Sequence, residues 1–319
     1  MDDILVNGGF PPKYRCTNYS RTAEEPSMVL GIYCIVFGTV FITLYLICLA
    51  ALIQRDLRAL PVYKIMIFLS ICDIAMLISN SIFTGFFFIK GVVFCTSPYP
   101  IYLLGCLTNS CWGASCFGGL CLVFTRLVDL WSRRLHEMLF GGKRAFVVIF
   151  LCILYALNFF FFPSPGLFNA KYYSWIYDPM INDSQEVFQG DNSWIIAGNN
   201  LLTVTSTFAL YIAFFLSFLY KYHHTFAYRM ASYEKQMFIQ SCAISGVNVS
   251  LALIYVYMLY FPVPVAVTIA GLVLWQFSSA GAVVVYMVIN KTVRRKVLRM
   301  FSKGNKKNIT MVSTISTFR

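Results

Sequence analysis

Residues 28–53 read MVLGIYCIVFGTVFITLYLICLAALI and hold no charged side chain. A bilayer core of ~30 Å is crossed by a helix of roughly 20 apolar residues, so this stretch is long enough to span a membrane. Inside the hydrocarbon each backbone N–H and C=O must be paired within the segment, which requires a helix. The stretch therefore predicts a membrane protein, with lipid as the solvent around its spans.

Six further apolar stretches of similar length follow along the chain. Together with the first they are numbered here as spans one to seven, and the later six cover residues 65–89, 101–125, 145–162, 194–220, 237–261 and 265–289. The chain as a whole is 59% hydrophobic and only 12% charged, which is unlike a soluble domain. The sequence therefore predicts an all-α membrane protein, with a seven-transmembrane-helix bundle at residues 28–289.

Shorter segments flank the bundle on both sides. Residues 1–27 form an N-terminal segment before the first span. Residues 290–301 predict a short amphipathic helix, because Val293, Val297, Met300 and Phe301 fall on one stripe among basic side chains. Such a helix lies in the membrane interface. The remaining residues, 302–319, have the composition of a disordered tail.

The distribution of lysine and arginine predicts the orientation of the chain. Seven spans place the two ends on opposite sides of the membrane, and short cytoplasmic loops carry an excess of these residues. With the N-terminus outside, 20 of the 25 Lys and Arg residues lie inside and 5 outside. We therefore expect a plasma-membrane protein with an extracellular N-terminus and a cytoplasmic C-terminus. The net charge of +12 then faces anionic lipid, and nucleic acid is not an expected partner.

Only two of the 11 cysteines are expected on the oxidising side of the membrane, Cys16 and Cys95. The other nine fall within spans, where a thiol packs as a small apolar group. The sequence predicts a Cys16–Cys95 disulfide, and the alternative is two free thiols. The expected outer loop at residues 163–193 contains no cysteine, so it cannot be joined covalently to the third span.

Two glycosylation sequons lie in expected outer segments. They begin at Asn18 and Asn182, and each follows the pattern Asn-x-Ser. Three other matches, at Asn248, Asn290 and Asn308, lie in membrane or cytoplasmic segments, where glycosylation does not occur. The topology, and not the motif, selects the first two.

Two ionisable residues, Asp73 and Arg126, lie within or directly after a predicted span. An acid at membrane depth is costly and is a functional candidate by default. Asp73 is therefore a candidate ion-coordinating or proton-sensitive switch, the alternative being a neutral, hydrogen-bonded packing residue. Arg126 follows a third span rich in small residues. It is a candidate for opening or closing a cytoplasmic partner site, the alternative being an ordinary interfacial arginine.

Aromatic and amide side chains collect in the outer halves of spans three, five, six and seven. An apolar pocket with a few convergent polar groups is what a small-ligand site requires. The alternative for each residue is an aromatic belt at the membrane interface. The candidate pocket residues are Tyr102, Asn109, Trp112, Asn199, Asn200, Tyr255, Tyr257, Trp275 and Gln276.

Other functional classes fit the residues less well. The three histidines lie in expected cytoplasmic loops, and there is no metal-ligand spacing, so neither an enzyme nor a metal or other cofactor is expected. The seventh span has no lysine for a retinal Schiff base. A seven-span ion channel or transporter remains the alternative, although the chain shows no internal repeat and has one aspartate at membrane depth.

The combination of motifs resembles the serpentine receptor class T family of nematode chemoreceptors. The resemblance rests on PVYKIMIFLSICD at residues 61–73, Phe94-Cys95 with Pro98, and Trp112 ahead of Arg126. Tyr14-Arg15-Cys16 and the segment around Tyr286 and Asn290 agree with it. It implies a G-protein-coupled receptor of chemosensory neurons or their sensory cilia, with an unidentified small ligand and a heterotrimeric G protein as partners.

The wider rhodopsin-like pattern is matched only in part. Residues 69–73 resemble the second-helix Leu-x-x-x-Asp signature, and Arg126 resembles the arginine of Asp-Arg-Tyr without its preceding acid. Tyr286 is the one residue kept from Asn-Pro-x-x-Tyr, and it is the third candidate switch residue. The switch mechanics of rhodopsin-like receptors therefore do not transfer residue by residue.

Overall fold

A bundle of long apolar helices makes up most of the computed structural model. The structure describes Phe10, Tyr14, Cys16 and residues 24–177, 193–224, 232–261 and 263–302. Within these residues the spans are the helices Met28–Leu52, Pro61–Lys90, Pro98–Trp131, Ala145–Phe161, Ser193–His224, Ser232–Tyr260 and Val265–Val288. The prediction of an all-α, seven-span membrane protein is confirmed.

Six of these helices are each long and apolar enough to cross a bilayer. The fourth span, Ala145–Phe161, is the exception, with 17 residues. It is preceded by the short helix Arg133–Phe140 at an angle of 58°, and the pair together passes the same test. The second span is continuous but changes its winding, because Ile78–Phe83 forms a π-helical segment between two α-helical parts.

The third helix runs farther than its apolar stretch, from Pro98 to Trp131. Arg126 therefore lies inside the helix and not after it. The helix ends at Ser132, whose side chain accepts a hydrogen bond of 3.2 Å from the Leu135 backbone N–H. This serine is thus the N-cap of the next helix, a role that its hydroxyl suits well.

A small β-hairpin follows the fourth span and was not expected from the sequence. Its antiparallel strands are Leu167–Asn169 and Ser174–Ile176, with Phe168 opposite Trp175. Three hydrogen bonds attach the hairpin to the bundle: Ala170 N–H to Val92 O (3.1 Å), Trp175 Nε1 to Thr84 Oγ1 (2.8 Å) and Thr268 Oγ1 to Tyr172 O (2.8 Å). We call this side of the bundle the hairpin end.

A disulfide bond joins Cys16 to Cys95 at the hairpin end, with the two Cα atoms 5.7 Å apart. Cys95 lies in the short 3₁₀ helix Phe94–Thr96, just before the third span. The bond ties the N-terminal segment to the entry of that span. The predicted sequons at Asn18 and Asn182 lie outside the described residues.

A short helix at residues 291–302 packs against the opposite end of the bundle. Its Val293 and Val297 are fully buried in a cluster with Leu57 and Tyr63. The Asn290 side chain caps the helix by accepting hydrogen bonds from the backbone N–H groups of residues 292 and 293. This is the amphipathic helix predicted from the sequence. The predicted disordered tail lies, after residue 302, outside the described residues.

We expect the docking of this helix to weaken in acid. The Lys296 ammonium hydrogen bonds the Asp56 carboxylate and holds the pKa of Asp56 below its ordinary value. A carboxyl group with a lowered folded-state pKa stabilises the fold above its unfolded pKa of about 3.9, and this contribution is lost as the pH falls through the folded pKa. Asp56 is exposed, so the effect is small.

The measurement is hydrogen exchange of residues 291–302 as a function of pH, corrected for the intrinsic exchange rate. Protection is expected to fall below about pH 4 in the wild type, whereas Asp56→Asn should be independent of pH in that range. Glu137→Gln is the control, because it removes an exposed ion pair with Arg133 elsewhere. Equal acid sensitivity in all three proteins would show that the ion pair of Lys296 with Asp56 does not hold the helix against the bundle.

Candidate functional site

A cavity lies within the bundle beneath the β-hairpin. The space between its walls is about 490 Å³ when the open part of its mouth is included. Spans three, five, six and seven and the hairpin contribute its walls. Five of the predicted pocket residues meet here: Asn109, Trp112, Asn200, Tyr255 and Trp275. We call this the hairpin-end cavity.

Hydrogen bonds fix the amide and indole groups on one side of the hairpin-end cavity. Trp112 Nε1 donates to Asn200 Oδ1 at 2.8 Å, and Asn199 Nδ2 donates to the same oxygen at 3.2 Å. Asn109 Nδ2 donates to the Ser164 carbonyl oxygen at 3.1 Å. These bonds hold the third span against the fifth span and against the residues leading into the hairpin.

Aromatic rings form the other side of the hairpin-end cavity. The Trp275 ring meets Trp175 edge-on at 6.3 Å between centroids, and it meets Tyr255 at 6.1 Å. Edge-to-face arrangements of this kind stabilise aromatic pairs beyond their burial. Burial raises the pKa of the Tyr177 hydroxyl, so this loop tyrosine is neutral at physiological pH.

Two of the predicted pocket residues lie close to the hairpin-end cavity but do not line it. Tyr102 is buried and faces the Tyr14 ring edge-on at 5.5 Å. Asn199 lies behind the cavity wall, where its Oδ1 accepts a hydrogen bond of 2.9 Å from the Tyr155 hydroxyl. Asn199 therefore supports Asn200 and does not line the cavity.

The remaining two predicted pocket residues point away from the hairpin-end cavity. Tyr257 is 50% exposed on the outer surface of the sixth span, where its ring stacks on Phe261 at 4.9 Å. Gln276 is fully buried against the second span, and its Nε2 donates to the Asn80 carbonyl oxygen at 2.9 Å. Each lies on a helix face that does not border the cavity.

Sequence reasoning missed six residues of the hairpin-end cavity. They are Thr108, Gly166, Trp175, Tyr177, Leu251 and Ala252. Thr108 lies one residue before a predicted candidate on the third span, so it was within reach of the same argument. Trp175 and Tyr177 could not have been found, because the strand Ser174–Ile176, which carries Trp175 and precedes Tyr177, gave no recognisable pattern.

A second cavity lies deeper in the bundle and contains all three candidate switch residues. Asp73, Arg126 and Tyr286 line it, from the second, third and seventh spans. It encloses about 770 Å³, counted to its opening. We call it the inner cavity. Trp112 lines both cavities.

Asp73 is connected to two neighbouring spans by one tyrosine hydroxyl. Tyr45 of the first span lies with its hydroxyl oxygen 2.8 Å from Asp73 Oδ2 and 2.8 Å from the Ser279 carbonyl oxygen of the seventh span. Asn80 Nδ2 adds a bond of 3.1 Å to Ser279 Oγ. Asp73 is therefore buried and hydrogen-bonded, as a polar group at this depth must be.

These features define the class of protein: a seven-helix membrane protein with the fold of G-protein-coupled receptors. Squid rhodopsin has the same fold, with a TM-score of 0.57 at 14% sequence identity, covering 92% of this chain and 90% of that chain. Residues 4–310 match the family described as "Serpentine type 7TM GPCR chemoreceptor Srt". The chain belongs to this family, which confirms the resemblance read from the motifs.

A curated relative agrees with this assignment. Serpentine receptor class T-55 of Caenorhabditis elegans is 25% identical over 268 residues, which are 82% of this chain and 73% of that protein. The family is a receptor family, and the protein is a multi-pass membrane protein of it.

Proposed function

We propose that this protein is a chemosensory receptor that binds a small molecule in the hairpin-end cavity and activates a heterotrimeric G protein at the opposite end. It lies in the plasma membrane, including the membrane of sensory cilia, with the hairpin end outside. The family to which it belongs and its receptor fold support this proposal. The cavity beneath the hairpin, lined by five of the predicted pocket residues, is the proposed ligand site.

The observation that carries the proposal is the shared position of Trp112. This residue lines both the hairpin-end cavity and the inner cavity with Asp73, Arg126 and Tyr286. A ligand that favours one position of this ring also favours one arrangement of the inner cavity. A ligand shifts a conformational equilibrium only by its difference in affinity for the two conformations. Here the two conformations differ in the position of Trp112, which a ligand in the hairpin-end cavity contacts.

The charges at the two ends support the proposed orientation. The helix at residues 291–302 carries five Lys and Arg residues, and the loops on its side carry most of the others. Basic residues beside spans favour the cytoplasmic side. Asp73 then lies between the ligand side and the G-protein side, where its bond to Tyr45 links three spans.

The test is a G-protein activation assay in cells that express the receptor with an N-terminal tag. The cells are exposed to a panel of volatile and water-soluble small molecules, and antibody binding to the tag on intact cells reports display and orientation. We expect at least one compound to activate the G protein in the wild type. Arg126→Ala is expected to reduce activation several-fold at equal surface display, because Arg126 lines the inner cavity.

Lys90→Ala is the matched control, because this exposed cation lies at the hairpin end, away from the proposed G-protein side, and does not line the cavity. It should activate as the wild type does. Equal responses of Arg126→Ala and the wild type would contradict the role of Arg126. A ligand-gated ionic current without G-protein activation would contradict the receptor mechanism as a whole.

A further inference from the structure

The walls of the hairpin-end cavity carry no charge among the described residues. Its lining consists of tryptophan and tyrosine rings, aliphatic side chains, one threonine and two asparagines. The amide of Asn200 accepts hydrogen bonds from Trp112 and Asn199. A charged ligand group would leave water here without an opposite charge to replace its hydration, and such a burial is strongly unfavourable.

One residue of the wall, Tyr255, carries a buried hydroxyl that makes no hydrogen bond of normal geometry among the described residues. The hydroxyl oxygen of Tyr255 is buried, and so is that of Ser174 in the hairpin. The two hydroxyls interact with each other, but neither makes a hydrogen bond of normal geometry within the described part of the chain. A buried polar group without such a bond costs free energy, so a ligand atom that bonds to Tyr255 gains affinity.

The rings that line the hairpin-end cavity favour a flat or compact apolar ligand body. Trp275 and Tyr255 meet edge-on, and Trp112 and Trp175 also line the space. Aromatic side chains provide a large apolar contact surface and the edges and faces that stacked rings require. The three indoles also provide an internal probe, because the chain has only five tryptophans.

From this lining we propose that the ligand is an uncharged small molecule with an apolar or aromatic body and one hydroxyl or carbonyl group that hydrogen-bonds Tyr255. The inference rests on the proposed function, since it names the ligand class of the same site. It excludes carboxylates and ammonium compounds as ligands of this cavity.

The experiment uses purified receptor in lipid nanodiscs and four probes that share one ring and chain. These are phenethyl alcohol, ethylbenzene, phenylacetate and phenethylammonium. Binding is followed by tryptophan fluorescence and by the ligand-induced rise in thermal stability. Ala252→Trp, which fills the cavity, separates binding in the site from partition into lipid.

We expect phenethyl alcohol to bind most tightly and the two charged probes at least about a hundredfold more weakly. Tyr255→Phe should weaken phenethyl alcohol about tenfold and leave ethylbenzene unchanged, because only the alcohol uses the hydroxyl. Tyr257→Phe is the control, since this tyrosine lies on the same helix but on its outer face. It should alter neither affinity.

Asn200→Asp provides a test in the opposite direction. The new carboxylate accepts the same bonds from Trp112 and Asn199 and adds a negative charge to the wall. Phenethylammonium should then gain at least about tenfold relative to the alcohol.

Three outcomes would overturn the inference: tighter or equal binding of a charged probe, equal weakening of alcohol and ethylbenzene by Tyr255→Phe, or no binding of any probe up to its solubility limit. Binding of phenethyl alcohol as described, with no G-protein response to any compound in cells, supports the inference and contradicts the proposed function. G-protein activation by charged compounds through this cavity would support the proposed function and contradict the inference about the ligand class.

Discussion

Replacing Gly105 with alanine is expected to destabilise the protein by about 1–3 kcal/mol and to disturb the hairpin-end cavity. A methyl group at this position would overlap the Gly166 carbonyl oxygen and lie 2.9 Å from Pro165 Cβ. These are a backbone atom and a proline ring, which cannot rotate away. The third span would therefore separate from the segment that leads into the hairpin, and Gly166 lines the cavity.

Gly119→Ala is the matched control, because it lies on the same helix and, apart from that helix's own backbone, no atom of the described residues lies within 4 Å of its added methyl group. Thermal unfolding of the two purified variants in the same detergent compares them directly. We expect a clear loss of thermal stability for Gly105→Ala and none for Gly119→Ala. Wild-type stability of both would show that the third span and the hairpin do not pack as closely as described.

Replacing Tyr45 with phenylalanine is expected to destabilise the bundle by a similar amount, about 1–3 kcal/mol. The hydroxyl lies 2.8 Å from both Asp73 Oδ2 and the Ser279 carbonyl oxygen, and all three groups are buried. Its removal leaves the Asp73 carboxyl group without this partner in an apolar interior. The cost is that of the unsatisfied groups and exceeds that of one average hydrogen bond.

The comparison is with Tyr33→Phe, which removes a hydroxyl from the same helix at a half-buried position packed on Phe37. Thermal stability and G-protein activation without ligand are measured for both variants. Tyr45→Phe should lower stability and alter basal activation, because it disconnects the first span from the second and seventh. If Tyr45→Phe and Tyr33→Phe behave alike, the Tyr45–Asp73 bond does not hold these spans together.

The membrane fold could be predicted because its signal is long and local. Each span repeats the same requirement for apolar side chains, so the seven helices and the family were identified from the sequence and are confirmed. The short helix with Val293 and Val297 was found for a similar reason, since its buried stripe is visible within a few turns.

Which residues line the hairpin-end cavity could be predicted only in part, because it depends on contacts between distant parts of the chain. Tyr255 and Tyr257 are two residues apart, and a helix turns by roughly 200° over that interval, so one faces the cavity and the other the surface. The sequence shows two similar tyrosines and does not show which side of the helix has neighbours. Trp175 enters the cavity only because three-residue strands fold back against Thr84.

The way in which the hairpin is attached to the bundle determines how the proposed binding site responds to reducing agents. It contains no cysteine, and it is attached by packing and hydrogen bonds, while the disulfide among the described residues lies at Cys16 and Cys95. Mild treatment with a reductant such as dithiothreitol would therefore break the covalent link between Cys16 and Cys95 and leave the hairpin-end cavity covered. Ligand recognition of this receptor is thus expected to outlast the loss of its cross-link.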